Sequence, residues 1–181
     1  MSDGYEAAKG QRNFLERLGD KIPGYSGFQN RELRRDVDRL QREHLAAELV
    51  RLQGLVQAKV RAFTDAGKIG ALSGFVRLDR ELDGLAQAIR FSDYGASGLF
   101  DPVKIGEAEL DRLYQFDLGV IEDIGALEQA IGALPAPRGT ESSSELDAAV
   151  ENVAAKIQGL DRKWKNRRQV ISSVVAGAAS A

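Results

Sequence analysis

Between Arg31 and Ala66 the chain contains no proline and a single glycine, Gly54. No other feature limits the fold as much. A breaker-free segment this long, rich in Leu, Arg, Glu and Gln, has one regular conformation open to it, so the spacing predicts a helix over residues 31–66. At 1.5 Å per residue that helix is roughly 55 Å long. Arg34/Asp38, Asp38/Arg42 and Arg39/Glu43 lie four apart along it, and each pair adds about 0.3 kcal/mol.

The apolar rows say what such a helix packs against. Leu33, Val37, Leu40, His44 and Ala47 follow the 4,3,4,3 spacing of a coiled-coil seam. A neighbouring row of Leu45, Leu49, Leu52, Val56 and Phe63 takes over further on, as a straight helix of 3.6 residues per turn does when it drifts against a 3.5-residue seam. A shorter helix is expected over 69–92, with Leu72, Phe75, Leu82, Leu85 and Ile89 inward. Residues 106–134 carry a regular seam of Leu110, Leu113, Asp117, Val120, Ile124, Leu127, Ile131 and Leu134. Pro135 and Pro137 end it, and the linker PAPRGTESSS follows. Ser142 and Glu145 have capping-box spacing ahead of a last helix, whose row is Leu146, Val150, Val153, Ile157, Leu160 and Trp164. Upstream, residues 5–22 form a short amphipathic segment closed by Pro23-Gly24. No alternating pattern of period two competes.

The expected fold is therefore all-α: an antiparallel helical bundle, coiled-coil-like, with about four main helices and a short N-terminal amphipathic helix. Its parts are an N-terminal segment and linker (1–28), a core of three helices (29–134), a flexible linker (135–144), and a C-terminal helix with a basic, small-residue tail (145–181). The second helix of the core is so much shorter than the first that part of the first is expected to protrude or to meet another chain.

Composition narrows the chemistry. There is no cysteine, which removes disulfides, thiol nucleophiles and thiolate metal sites and fits a reducing compartment. No run approaches the roughly 20 apolar residues of a spanning helix, and the opening residues have no signal-like apolar core, so a soluble, cytoplasmic protein is expected. The charge is polarised along the chain. Residues 1–66 carry 12 Lys and Arg against 10 Asp and Glu, residues 67–158 carry 8 against 16, and residues 159–181 carry 5 against 1. An acidic middle and a basic end suit head-to-tail self-association, or an anionic surface touched by the tail.

Three places stand out as candidate sites. In RFSDYGASGLFDPVK, residues 90–104, Gly95 and Gly98 supply turn conformations, and Phe91, Tyr94, Leu99 and Phe100 are expected to plug the end of the bundle. The other reading of those four residues is a docking corner for a partner. Gly-Ala-Ser-Gly lacks the spacing and the lysine of a phosphate loop.

His44 and Asp117 are the second. Asp117 takes a core slot in an apolar row, and a buried carboxylate needs a partner. His44 or an arginine of the 31–66 helix is the expected one, and such a polar pair fixes register or oligomeric state. With one histidine and no cysteine, no nucleophile–base arrangement can be built, and the Glu-x-x-His spacing of helical metal sites is absent. No enzyme activity, cofactor or metal is expected.

The third is membrane contact. Phe14, Leu15, Leu18 and Ile22 share one side of the first segment, and Arg162, Lys163, Lys165, Arg167 and Arg168 surround Trp164 in the tail. Basic groups beside an indole suit an anionic lipid interface. The competing reading is that Trp164 simply continues the seam. This layout, a short amphipathic start before long charged helices, resembles the membrane-stress and membrane-remodelling helical hairpins of the phage-shock-protein type. The arrangement alone carries the likeness, and the glycine-aromatic corner departs from it. Nucleic-acid binding is not expected, because the basic cluster is small and no reader motif is present.

The functional expectation is a non-catalytic helical scaffold or adaptor, acting by self-association, as a homo-oligomer, or by helix-mediated protein binding. The alternative is a peripheral membrane-associated protein using the first segment and the Trp164 tail. A metal- or ligand-binding bundle comes third.

Overall fold

The computed structural model describes residues 31–92, 107–137 and 143–179. Among these are four α-helices and no strand: α1 Arg31–Asp65, α2 Leu72–Arg90, α3 Glu107–Gly132 and α4 Ser143–Ala179. The all-α class holds, and each helix lies within a few residues of its expected place. The N-terminal segment with Phe14, Leu15, Leu18 and Ile22, the corner residues Tyr94, Leu99 and Phe100, and Ser142 lie outside the described residues.

Helix α1 stops where Gly67 turns left-handed, at φ 71°. The Gly67 N–H donates to the Thr64 carbonyl at 2.9 Å, and the Lys68 N–H donates to the Phe63 carbonyl at 2.9 Å. This pair of bonds is a Schellman cap, and it needs a residue without a Cβ at its centre. A single 3-10 turn, Ile69–Ala71, then leads into α2. Helix α2 follows directly and buries one stripe: Phe75, Leu78, Leu82, Leu85, Ala86 and Ile89. Leu78 belongs to that stripe although the apolar row expected from spacing steps past it. Leu72 is only half-buried.

The chain divides into two compact units. The larger described one holds Leu45–Phe91 and Val120–Trp164. Its buried residues are apolar: Leu45, Leu49, Leu52, Val56 and Phe63 from α1, Val120, Ile124, Leu127 and Ile131 from α3, and Leu146, Val150, Val153, Ile157, Leu160 and Trp164 from α4, with the α2 stripe. The Glu81 Oε2 is enclosed beside them without a hydrogen-bond partner. Each Leu, Val, Ile and Phe side chain among the buried residues stabilises the packed state by about 1.5–3 kcal/mol through burial. Phe63 and Phe75 stack tilted, with ring centroids 4.9 Å apart. Gly74 sets how closely α2 and α4 approach, since a Cβ built there lies 3.0 Å from Val150 Cγ1.

Polar contacts around this core record which helices are neighbours. Gln57 of α1 donates to Asp79 of α2 at 2.9 Å. Arg51 of α1 pairs with Glu128 of α3 at 2.8 Å. Arg77 of α2 pairs with Glu151 of α4, and Lys163 of α4 pairs with Asp123 of α3 at 2.7 Å. So α1 and α4 each flank both α2 and α3, and α4 completes the bundle behind its linker. The contacts Gln57–Asp79 and Phe63–Phe75 run in opposite directions along α1 and α2, so that pair is antiparallel. Arg51–Glu128 and the bond from Lys59 Nζ to the Leu134 carbonyl, 2.6 Å, advance together, so α1 and α3 are parallel. Lys59 there closes the C-terminal end of α3 with a cation, the sign that the helix dipole favours. Its burial pulls the ammonium below the ordinary lysine range. The hydrogen bond from Arg51 holds the Glu128 carboxyl below its ordinary range, and Glu128 in turn raises Arg51.

Two glycines in α1 and its cap should respond in opposite ways to the same substitution. Gly67→Ala forces a Cβ into the left-handed region and should cost about 1 kcal/mol. Gly54 is exposed within the helix with nothing within 4 Å of its Cβ position, so Gly54→Ala should stabilise by about 0.5–1 kcal/mol. Urea unfolding of the two variants beside the parent protein reads both signs.

Candidate functional site

The described residues of the other unit come from α1 up to His44, Ser92, α3 up to Gly119, and α4 from Lys165. Its interior is built differently. Asp38, Gln41, Arg42, Asp117 and Arg167 are all buried, Asp117 and Gln41 completely. Among the described residues these five are the buried polar side chains, and all of them fall in this unit.

Local helix geometry puts them there. In α1, the row Leu45, Leu49, Leu52, Val56 continues toward the N-terminus through Arg42, Gln41 and Asp38. In α3, Asp117 stands between Leu113 and Val120. In α4, the alternation of four and three that runs from Leu146 to Trp164 continues through Arg167 to Ile171, which is buried. Each charged residue thus occupies an inward position of its own helix.

Arg167 is the hub. Its Nε donates to Asp117 Oδ1 at 2.9 Å and its Nη2 to Asp117 Oδ2 at 3.2 Å, a two-pronged pairing of guanidinium with carboxylate. The remaining nitrogen, Nη1, donates to Asp38 Oδ1 at 2.8 Å. The other oxygen of Asp38 accepts from Arg42 Nε at 2.9 Å. Arg42 Nη1 reaches the Ser92 carbonyl at 3.3 Å. One continuous chain of charge-assisted bonds therefore ties α4 to α3, α4 to α1, and α1 to the residue after α2. Among the described residues two arginines face two carboxylates, and their charges balance. Burial works against the Arg167 charge, and the Asp117 and Asp38 carboxylates overcome it, holding the guanidinium above its ordinary value. The Gln41 amide beside them is fully buried, and neither its oxygen nor its nitrogen has a hydrogen-bond partner.

The cluster changes the reading of several residues. Asp117 does take a core slot and does find a cation, but the cation is Arg167 of the last helix rather than His44 or an arginine of α1. His44 is half-buried, and both Asp117 oxygens are taken by Arg167. The guanidinium reaches both oxygens at once, which a single imidazole N–H cannot do. The described part of the first apolar row of α1 is displaced too: Leu40 is 38% exposed and Ala47 is exposed, while Asp38, Gln41 and Arg42 point inward. The side chains of Leu33 and Val37 lie outside the described residues. An interior row that is itself polar defeats a search for apolar residues.

The candidate membrane residues separate in the same way. Trp164 and Arg167 are buried in their units, engaged in packing and ion pairing, and in this conformation neither faces a lipid surface. Arg162 and Lys165 are exposed, Lys163 is tied to Asp123, and the side chain of Arg168 lies outside the described residues. No described helix is long and apolar enough to cross a membrane. At the glycine-aromatic corner, Phe91 is 72% exposed and so does not plug the bundle. Helix α2 ends at Arg90, one residue before it, leaving the ring beyond the buried stripe.

Outside the cluster, a shallow cavity of about 230 Å³ lies between α1 and α2, lined by Gln57, Val60, Arg61, Val76 and Asp79. Gln57 and Asp79 are hydrogen-bonded to each other there. Among the described residues no group of three or more His, Asp or Glu side chains is placed to hold a metal ion. No protein family, curated protein or solved structure matches the chain.

Removing one charge should hurt more than removing a balanced pair. Arg167→Met leaves two carboxylates buried against a single arginine and should cost about 3–5 kcal/mol. Asp117→Leu combined with Arg167→Met keeps Asp38 matched to Arg42 and should recover most of that loss. The midpoint and slope of urea unfolding for the two single variants and the double variant complete the cycle.

Proposed function

We propose that this chain is a non-catalytic helical scaffold or adaptor that works through its helix surfaces, by self-association or by binding a partner's helix. The observation that carries this reading is α1. Its inward row is buried within the chain along its described length, so what it offers a partner is the rest of its surface. On its two flanks, to either side of that row, stand Val50 and Leu55, 42% and 39% exposed. Ile69, just past its cap, is 69% exposed. Side chains of this kind on a long, rigid rod are what a second helix packs against by ridges and grooves.

The chemistry-bearing groups support the same reading by how they are employed. The charged side chains in the interior hold one helix to another, and the pairs at the rim of the apolar unit do likewise. The membrane alternative is weakened by the burial of Trp164 and Arg167, which takes the indole and one of its five basic neighbours away from a lipid surface.

Light scattering across a hundredfold range of protein concentration tests the reading. Mass should rise with concentration, and Val50→Asp together with Leu55→Asp should hold the chain monomeric while helix content by circular dichroism stays unchanged. A parent protein that is strictly monomeric and captures no helical partner sinks the proposal. Pelleting with anionic vesicles, abolished by Arg162→Glu with Lys165→Glu, would favour the membrane alternative instead.

A further inference from the structure

Helix α1 carries the same short charge pattern twice. Arg39 precedes Glu43 by four residues, and at the far end Arg61 precedes Asp65 by four. All four residues are exposed. Helical periodicity puts them on one face, away from the buried row, together with Val50 and Gly54. From Arg31 to Asp65 the helix is unbroken, so its own geometry fixes the spacing between the two pairs. Neither pair is strong where it stands. A cation four residues ahead of an anion is the weaker order within a helix, because the helix dipole opposes it. Arg39 and Glu43 do bond, at 2.8 Å, with 66% and 51% of their side chains exposed, and an ion pair so open to water contributes little. Arg61 and Asp65 form no ion pair with each other or with any other described residue.

A face that reads plus then minus at both ends has a definite complement, which is itself reversed. Two copies of α1 laid side by side in opposite directions set Arg39 against Asp65 and Glu43 against Arg61. A two-fold axis makes each of those contacts twice. In the same register Val50 of each copy meets Gly54 of the other. Val50 is 42% exposed, and nothing lies within 4 Å of the place where a Cβ on Gly54 would stand, so the valine has room to be covered there. Slipping one copy by a turn sets Arg39 against Arg61, or Glu43 against Asp65, according to the direction. Running the two copies parallel sets every charge against its own counterpart. Both alternatives bring like charges together, and one arrangement is left.

We propose that this face of α1 is a homodimer interface, pairing antiparallel with α1 of a second copy in the register that joins Glu43 to Arg61 and Arg39 to Asp65. This deepens the helix-surface reading above and rests on it. It names the occupant, its direction and its register.

The chain has no cysteine, so introduced thiols report the direction of pairing without competition. Glu43→Cys and Arg61→Cys chains, mixed in an oxidising glutathione buffer, should give a disulfide-linked dimer containing one of each. Either variant alone should stay unlinked, because its two thiols lie about 27 Å apart in the antiparallel pair. Cross-linking of each variant to itself marks a parallel pair and overturns the proposal, as does the absence of any link in the mixture.

Charge reversal tests the register by affinity. Arg61→Glu and Glu43→Arg should each weaken self-association at least about tenfold in sedimentation equilibrium, since each sets two like-charged pairs into the dimer. An equimolar mixture of the two should regain the parental affinity, because both pairs are then matched. A mixture that associates no more tightly than either variant alone overturns the proposal. Circular dichroism checks that these exposed substitutions leave the helix content unchanged. A parent chain that self-associates while both mixtures fail removes this interface and leaves the helix-surface reading standing. A monomeric parent that captures another protein's helix does the same, and one that does neither removes both.

Discussion

A guanidinium taken out of water stands at the centre of one of the two units of this protein, and everything described around it follows from what that group requires. An isolated buried charge costs several kcal/mol, and a single carboxylate leaves part of a guanidinium unmatched. Arg167 is accordingly met by Asp117 on one edge and by Asp38 on another. Asp38 then has an oxygen to spare, which Arg42 takes. Arg42 has nitrogens to spare, and one reaches the backbone after α2. Each requirement recruits the next element, so three helices and the end of a fourth are placed by one chain of electrostatic necessity. Directional bonds of this kind fix rotation and translation of a helix more narrowly than an apolar contact, which is satisfied over a range of positions.

The second unit solves the same problem of packing helices by the opposite means. Its buried residues are apolar, and most of its charges lie around the edge, where Arg51, Arg77 and Lys163 bridge neighbouring helices. Exposed pairs of that sort contribute little to stability. They do discriminate between neighbours, because a helix presented in the wrong order would set like charges opposite one another. In one unit charge is the core and in the other it is the rim. Apolar burial supplies cohesion in the second, whereas geometry rather than cohesion is the gain in the first.

What could be read from the residues alone follows this division. The rows of α3 and α4 were legible because apolar side chains recur there at helical spacing, and Leu113 to Leu134 and Leu146 to Trp164 are buried as that spacing requires. Asp117 was legible as a core residue because it interrupts such a row. Its partner was not, since nothing local to α3 says which distant helix brings the cation, and the contact spans fifty positions. The signal was nevertheless present in α4: the same alternation of four and three, carried one step past Trp164, lands on Arg167 and then on buried Ile171. The inward row at the start of α1 was hidden for a different reason. Asp38, Gln41 and Arg42 look like a solvated face, and the i,i+4 pairing of Asp38 with Arg42 is equally good on either side of a helix. Only knowledge of Arg167 tells them apart. Leu78 was missed although apolar, because the expected row stepped from Phe75 to Leu82 without it.

Why a charged interior should be kept where leucines would pack as well is then a question about what the segment must do. A buried ion pair replaced by apolar residues of similar volume often leaves a helical protein as stable as before or more so, so stability does not account for it. Register alone does not account for it either, because one polar contact suffices to fix register, and this cluster uses four charged residues and leaves the amide of Gln41 unmatched. The property that four buried charges have, and that neither leucines nor a single polar pair have, is a high affinity for water in the open state. An apolar segment that swings free exposes a sticky surface and invites indiscriminate association. One whose inner face is Asp and Arg presents charge in place of that surface. The groups that close the unit thereby fix which helices meet in it, α4 with α3 and with α1.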